Sequence, residues 1–233
     1  MKKPLCIIAG VGPGNGLSLC NRFYQEGYRV VIISRDLSHL TELADGRDDI
    51  FPFACDLSNP EKINEVFPAI TAQLGTPEVV IYNAGSGVFG PASEVSLQDF
   101  EETWKINALG LLIVSKLLTP AMIANGGGSL LVTGATASLR GGANFAAFSS
   151  AKAAQRNLTQ SLARSLGAQG IHVALLIIDG IIDMPRTRAR FTDKPDDYYM
   201  QPDAIADTYY HLSQQDKSAW TFEIDLRTFH ETW

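Results

Sequence analysis

Short runs of valine, isoleucine and leucine alternate along the chain with longer segments in which apolar residues recur every three or four positions. The short runs predict buried strands and the longer segments predict amphipathic helices. Strands are predicted at 5–9, 28–34, 50–54, 78–82, 129–133, 171–178 and 221–226, and helices at 17–27, 37–44, 58–74, 100–125, 144–168 and 203–214. Continuous apolar strands are covered on both faces. The pattern therefore predicts an α/β fold: one domain over 1–233, a doubly wound parallel sheet of about seven strands with helices on both faces.

Glycines crowd the junction between the first predicted strand and the first predicted helix. They are Gly10, Gly12, Gly14 and Gly16, with Asn15 between the last two. Because glycine has no Cβ, the backbone N–H groups of such a turn can approach a pyrophosphate closely. The start of the following helix adds free N–H donors and the positive end of its dipole. The turn could simply connect a strand to a helix, but its context favours a dinucleotide site.

The end of the second predicted strand indicates which dinucleotide is bound. An acidic residue there hydrogen-bonds the ribose hydroxyls of NAD, whereas the extra phosphate of NADP needs positive charge. Ser34 and Arg35 occupy this place, and both can bind a phosphate. Asp36 comes one residue late for the ribose and could instead start the next helix. Arg35 could also be a surface residue at a turn, but NADP(H) is favoured over NAD(H).

The glycine spacing Gly-x-x-x-Gly-x-Gly, from Gly10 through Gly14 to Gly16, resembles the motif of the short-chain dehydrogenase/reductase family, with Ala9 at the usual threonine. The segment Asn83-Ala84-Gly85 resembles the family's Asn-Asn-Ala-Gly motif, with Tyr82 for its first asparagine. The resemblance extends over nearly the whole chain and implies the single-domain Rossmann fold of that family. It also implies cofactor contacts for a set of residues: Asp56 and Leu57 at the adenine, Asn83, Ala84 and Gly85 at the adenine ribose, and the Ile182 backbone at the nicotinamide amide.

The family uses asparagine, serine, tyrosine and lysine for catalysis, and this chain matches only half of that set. Asn107 fits the asparagine, and Lys152 fits the lysine that also holds the nicotinamide ribose. Phe148 occupies the tyrosine position four residues before the lysine, and Ala135 occupies the serine position thirteen residues before Phe148. Phenylalanine has no proton to give, so the standard proton transfer to a substrate carbonyl is excluded at this position.

Other groups could take over the missing chemistry. Thr136 and Ser138 follow Ala135 closely, and either hydroxyl could reach the substrate oxygen. Protonated Lys152 could donate directly or through water near Asn107. Residues 183–201 form the least regular segment and are predicted to be a substrate-side loop, which could bring in Tyr198 or Tyr199. At its start, Met184 replaces a family threonine that contacts the pyrophosphate, and Thr187 is a possible substitute.

Composition limits the remaining possibilities. The formal net charge of -6 argues against nucleic acid as a partner. No segment is expected to be long and apolar enough to span a membrane. Cys6, Cys20 and Cys55 lie in apolar runs and indicate buried thiols of a cytoplasmic protein, and four scattered histidines make a metal site unexpected. The helix predicted at 100–125 is apolar almost all round, which favours a homodimer or homotetramer over a monomer in which this helix is fully buried.

Two functions therefore remain. The first is an NADP(H)-dependent oxidoreductase with a rearranged proton donor, acting on a small carbonyl or alcohol substrate of unknown identity. The second is a catalytically weak or inactive NADP(H)-binding protein with a sensing or regulatory role. Phe148 and Ala135 favour the second, whereas retention of Asn107 and Lys152 favours the first.

Overall fold

The computed structural model describes residues 3–230 and confirms the predicted fold class. Seven parallel strands form one sheet in the order β3-β2-β1-β4-β5-β6-β9, and β7 pairs with β8 in a small second sheet. The strands are β1 (Leu5–Ala9), β2 (Arg29–Ser34), β3 (Ile50–Ala54), β4 (Val79–Tyr82), β5 (Gly128–Ala135), β6 (Ile171–Asp179), β7 (Ile181–Ile182), β8 (Tyr199–Met200) and β9 (Glu223–Arg227). The order reverses between β1 and β4, so a crevice opens there at the carboxyl ends of the strands.

Helices cover both faces of the large sheet. They are α1 (Asn15–Gln25), α2 (Leu37–Ala44), α3 (Pro60–Leu74), α4 (Leu97–Trp104), α5 (Gly110–Ala124), α6 (Ala146–Leu166), α7 (Pro185–Arg190) and α8 (Pro202–Ser213). Apolar side chains of α3, α5 and α6 pack on one face, and those of α1, α2 and α8 pack on the other. The predicted thiols Cys6, Cys20 and Cys55 are buried and unpaired within this core. Burial raises the pKa of the Cys20 thiol to about 11.

The long helix predicted over 100–125 begins earlier and is interrupted. It starts at Leu97, after the Ser96 hydroxyl caps it, and passes through a π-helical turn at Lys105–Leu109 before α5. The Tyr82 hydroxyl donates to the Ile106 carbonyl within this turn at 2.6 Å. A Cβ on Gly110 would lie 2.3 Å from that hydroxyl, so only glycine allows the close approach. The wider turn is thus fixed by β4, and it positions Asn107.

The segment 183–201 is more ordered than the irregular loop predicted for it. It contains α7, which begins at Pro185, where a missing N–H costs nothing. The Arg188 guanidinium forms ion pairs with Asp183 and Asp196, and so joins the start of the segment to the 3-10 turn at Asp196–Tyr198. Its role on the substrate side remains a prediction.

The expectation about membrane-spanning segments was wrong in one respect. The helical stretch Leu97–Ala124 is long and apolar enough to cross a membrane, by length and composition alone. Half of its apolar window is buried, and α5 packs into the core through Leu111, Val114 and Leu118. A buried core helix passes the same test, and packing against the sheet accounts for the buried half of the stretch. Phe100 and Trp104 remain exposed on it, and a homodimer or homotetramer remains a prediction.

Candidate active site

The glycine turn between β1 and α1 is locked against the end of β4. Gly10 has φ of +102°, and a Cβ there would lie 2.5 Å from the backbone N and Cα of Ala84. The Asn83 side-chain amide donates to the Gly10 carbonyl at 2.7 Å. Gly16 is equally confined, because its Cβ would lie 2.7 Å from the Val11 Cα. Gly12, by contrast, faces open space, so this is where a ligand can reach the turn.

The far side of the turn is covered by residues that follow β6. A Cβ on Gly14 would lie 3.4 Å from Met184 and 3.7 Å from Ile182, so both side chains rest over the turn. The Thr187 hydroxyl, considered as a substitute phosphate ligand, donates instead to the Ile182 carbonyl. Thr187 therefore stabilises the start of α7 and does not point its proton at the turn.

Asn83 connects three elements around the crevice. Its Oδ1 accepts from the Thr133 hydroxyl on β5 at 2.9 Å, and this hydroxyl lies 2.7 Å from the Tyr209 hydroxyl on α8. With the bond to Gly10, the Asn83 amide ties β1, β4 and β5 to one another. Asn83 thus steadies the sheet, and its contact with the adenine ribose remains a prediction.

The carboxyl ends of β2 and β3 form the next part of the crevice. Asp36 accepts from the backbone of Ser38 and caps α2, as one of the sequence alternatives had it. The Ser34 hydroxyl oxygen accepts a hydrogen bond from the Asp36 backbone N–H, and Arg35 is exposed. Partial burial pushes the pKa of Asp56 up, but hydrogen bonds from Ser58 and the Arg35 charge outweigh it, so the pKa lies below its usual value. Arg35 and Asp56 are therefore electrostatic neighbours.

Lys152 and Asn107 meet beside Gly85. A Cβ on Gly85 would lie 3.1 Å from Asn107 Oδ1 and 3.4 Å from Lys152 Nζ, so both polar atoms line one small space. Both residues are buried, and no group of the described residues forms a hydrogen bond with Asn107 Oδ1. The Asn107 amide nitrogen donates to the carbonyls of Ser86 and Thr103, which fixes the direction of the free oxygen. A donor that enters this space would satisfy that oxygen.

Lys152 carries its amine into the core, where none of the carboxylates of residues 3–230 pairs with it. Nζ donates to the Thr133 carbonyl and to Gln155 Oε1, each at 2.9 Å. Burial disfavours the charged form and lowers the pKa of Lys152 from 10.5 to about 7. The amine can therefore both hold and release a proton near neutral pH. Gln155 was missed by sequence reasoning, although its position three residues after Lys152 places it on the same side of α6.

Three of the four hydroxyl groups considered as replacement donors donate to protein acceptors. The Thr136 hydroxyl donates to the Asp179 carboxylate at the end of β6. The Ser138 hydroxyl donates to the Ala135 carbonyl at 2.7 Å. In the 183–201 segment, the Tyr199 hydroxyl donates to the Phe191 carbonyl, and the Tyr198 ring packs against that of Tyr199.

Phe148 lies within a group of three phenylalanines. Its ring centroid is 5.2 Å from that of Phe89, which follows β4, and 6.3 Å from that of Phe145, just before α6. The Phe89 and Phe145 centroids are 5.2 Å apart. Sequence reasoning missed Phe89 and Phe145, because nothing in their spacing indicates that the two loops meet. The position four residues before Lys152 is therefore apolar and surrounded by further rings.

Comparisons with known proteins agree with this fold. A family model described as short chain dehydrogenase matches residues 5–195. The chain is similar to a crystal structure of a short-chain dehydrogenase from Rhodopseudomonas palustris, with 33% identity, a TM-score of 0.84 and coverage of 98% of this chain and 100% of that one. An alcohol dehydrogenase from the archaeon Thermococcus sibiricus, complexed with 5-hydroxy-NADP, has 23% identity, a TM-score of 0.88 and 99% coverage of both chains. An uncharacterized oxidoreductase of Staphylococcus aureus (strain USA300) is 23% identical over 225 residues, or 96% of each chain.

Proposed function

The chain belongs to the short-chain dehydrogenase family, and on that premise we propose that it is an NADP(H)-dependent oxidoreductase in which Lys152 replaces tyrosine as the proton donor. Its substrate is a small carbonyl compound, or the corresponding alcohol in the reverse direction. The observation that carries this proposal is the buried Lys152 amine. Within the described part of the chain it has no acidic partner, and it shares a small space with an Asn107 oxygen that is likewise unpaired there.

The residues of the crevice fit a pyridine dinucleotide. Gly12 leaves the turn open to a pyrophosphate, and the N-terminus of α1 follows directly. Asn15, at the first position of α1, is buried, and its Oδ1 has no hydrogen-bond partner among residues 3–230. Ser34 and Arg35 would hold the 2′-phosphate of NADP, and Asp56 would contact the adenine. When bound, the reduced cofactor supplies the hydride.

The chain's own part in the chemistry is to deliver one proton. The hydroxyls of Thr136, Ser138 and Tyr199 donate to protein acceptors, so their protons are not directed at a substrate. Two of the Lys152 N–H bonds are held by the Thr133 carbonyl and Gln155, which leaves the third free in the ammonium form. With a pKa of about 7, that ammonium is a suitable acid for a carbonyl oxygen that gains a hydride at neutral pH.

The test is NADPH oxidation by the purified protein against a broad panel of carbonyl compounds, beside the double variant Ala135→Ser/Phe148→Tyr. We expect measurable turnover by the native protein and a rate increase of about 10²-fold or more in the variant, because a positioned acid and an oxyanion donor are each worth that much. The losses of such groups do not add simply. Turnover by the variant alone would contradict a relocated donor.

That outcome would support the second candidate, an NADP(H)-binding protein with a sensing or regulatory role. The observation that favours it is the apolar ring of Phe148, packed against Phe89 at the place where the family presents a hydroxyl. Calorimetry with NADPH would then give binding without turnover in the native protein.

Cofactor preference provides a separate prediction about Arg35. Replacing Arg35 by alanine is expected to weaken NADPH binding about 10–100-fold and to leave NADH binding nearly unchanged, because only NADPH carries the phosphate that the guanidinium pairs with. Calorimetric titration of both cofactors measures this. Arg164→Ala, which removes an exposed arginine on α6, serves as the control for net charge. Native protein that prefers NADH would refute the assignment.

A further inference from the structure

The three phenylalanines form a partly exposed aromatic surface, which we call the ring cluster: Phe89, Phe145 and Phe148. About 51% of Phe89 and 37% of Phe145 are accessible, although both rings contact other rings of the cluster. An apolar side chain gains most when it is removed from water. Two large rings that remain partly exposed to water beside a crevice therefore indicate a surface that a bound ligand would cover.

The backbone around the ring cluster is shaped to receive the rings. A Cβ on Gly87 would lie 2.9 Å from Phe89 Cζ and 3.1 Å from Phe148 Cδ2. A Cβ on Gly142 would lie 2.8 Å from Phe145 Cδ2. The Gly90 N–H donates to the Asn144 carbonyl at 2.8 Å, which joins the loop after β4 to the loop before α6. The rings are therefore held in place by two connected loops and are not free surface side chains.

The ring cluster also adjoins the proposed chemistry. Phe148 precedes Lys152 by one helical turn on α6, so its ring and the lysine stem lie on the same side of the helix. The Gly85–Gly87 backbone runs from the space lined by Lys152 Nζ and Asn107 Oδ1 to the rings of Phe89 and Phe148. One small molecule can therefore place a polar end at the amine and an apolar body on the rings.

We propose that the ring cluster binds the apolar, ring-bearing body of the substrate, so that the substrate class is aromatic or alicyclic ketones and aldehydes. The inference rests on the proposed function for the site. Flat rings pack on aromatic faces by offset stacking and edge-to-face contacts. A polyhydroxylated substrate such as a sugar would bind less well, because its hydroxyls would lose water and find no hydrogen-bond partner on the phenylalanine rings.

The experiment measures ligand binding without turnover. The full chain is saturated with NADP+, which cannot reduce a ketone, and is titrated with 2-acetylnaphthalene or with dihydroxyacetone while saturation-transfer NMR reports binding. Phe89→Ala and Phe145→Ala are compared with the native protein and with Phe229→Ala, which removes a phenylalanine that is 82% exposed elsewhere. Circular dichroism verifies that each variant is folded.

We expect the native protein and Phe229→Ala to bind the naphthyl ketone with affinities within twofold of each other, and each ring-cluster variant to bind it at least tenfold more weakly. The inference would be overturned if Phe89→Ala bound the naphthyl ketone as tightly as the native protein does, or if removal of either ring made binding tighter. A preference of the native protein for dihydroxyacetone would overturn it as well. The titrations are repeated without NADP+. Failure of the native protein to bind NADP+ would refute the proposed function. If NADP+ binds but the ring-cluster variants bind the naphthyl ketone as tightly as the native protein does, only the substrate class is refuted.

Discussion

Replacing Gly10 by alanine is expected to lower the free energy of unfolding by roughly 2–5 kcal/mol. The backbone there has φ of +102°, and the new methyl group would lie 2.5 Å from the Ala84 backbone. A left-handed conformation costs about 1–2 kcal/mol for a residue with a Cβ, and forcing an extra carbon into a packed site costs about 1–3 kcal/mol. Both contributions apply, because the Asn83 hydrogen bond prevents the turn from moving away.

Gly12→Ala is the matched control, because it changes the same turn by the same atom. Nothing lies within 4 Å of its added Cβ, so we expect stability within about 0.5 kcal/mol of the native protein, as for an ordinary surface change.

Gly12→Ala should instead affect cofactor binding. The added methyl group occupies the open approach to the turn, so NADPH binding should weaken at least tenfold. Urea unfolding and calorimetry measure the two effects. Equal stability of Gly10→Ala and the native protein would contradict the first prediction, and unchanged NADPH affinity of Gly12→Ala the second.

The parts of the fold that could be predicted from the sequence depend on local pattern. Continuous apolar runs such as 30–33 identify strands buried on both faces, and the glycine turn is recognisable because strand, turn and helix are adjacent in the chain. The cap formed by Asp36 is also a local effect, since the side chain bonds a backbone two residues on. Interactions of this kind need no knowledge of the tertiary arrangement.

The parts that could not be predicted depend on contacts between distant segments. The π-helical turn at Lys105–Leu109 depends on the hydrogen bond from the Tyr82 hydroxyl to the Ile106 carbonyl. In the sequence, only the glycine at position 110 is related to that contact, because a Cβ there would collide with the hydroxyl. The engagement of Thr136 depends on the Asp179 side chain on β6, more than 40 positions away. Spacing identified Thr136 as a possible donor, but its actual hydrogen bond is set by the neighbouring strand.

Lys152→Met is expected to have the largest effect on catalysis. Removal of a positioned acid should lower kcat/KM for any substrate found in the panel by roughly 10²–10⁴-fold. Lys116→Met, which removes an exposed lysine on α5, should leave kcat/KM within twofold. For the native protein, log kcat/KM for reduction should fall as the pH rises through about 7, because the donor must be protonated in the free enzyme. Full activity of Lys152→Met would exclude Lys152 as the proton donor.

The same lysine should make stability depend on pH. Its pKa is about 7 in the folded protein against an ordinary value of 10.5. Between those values the unfolded chain binds more protons, so the free energy of unfolding contributed by this group rises with pH. The penalty of burying the charged amine is complete below about pH 7 and is relieved as the pH rises toward 10.5. From pH 7 to pH 9, the free energy of unfolding of the native protein should therefore rise by about 2–3 kcal/mol relative to that of Lys152→Met.

Urea unfolding at both pH values measures the difference. The buried thiols have a raised pKa in both proteins, so their contribution to the pH dependence cancels in the comparison. A difference that stays constant with pH would mean that Lys152 remains charged in the folded protein, with an acidic or solvent partner for its amine.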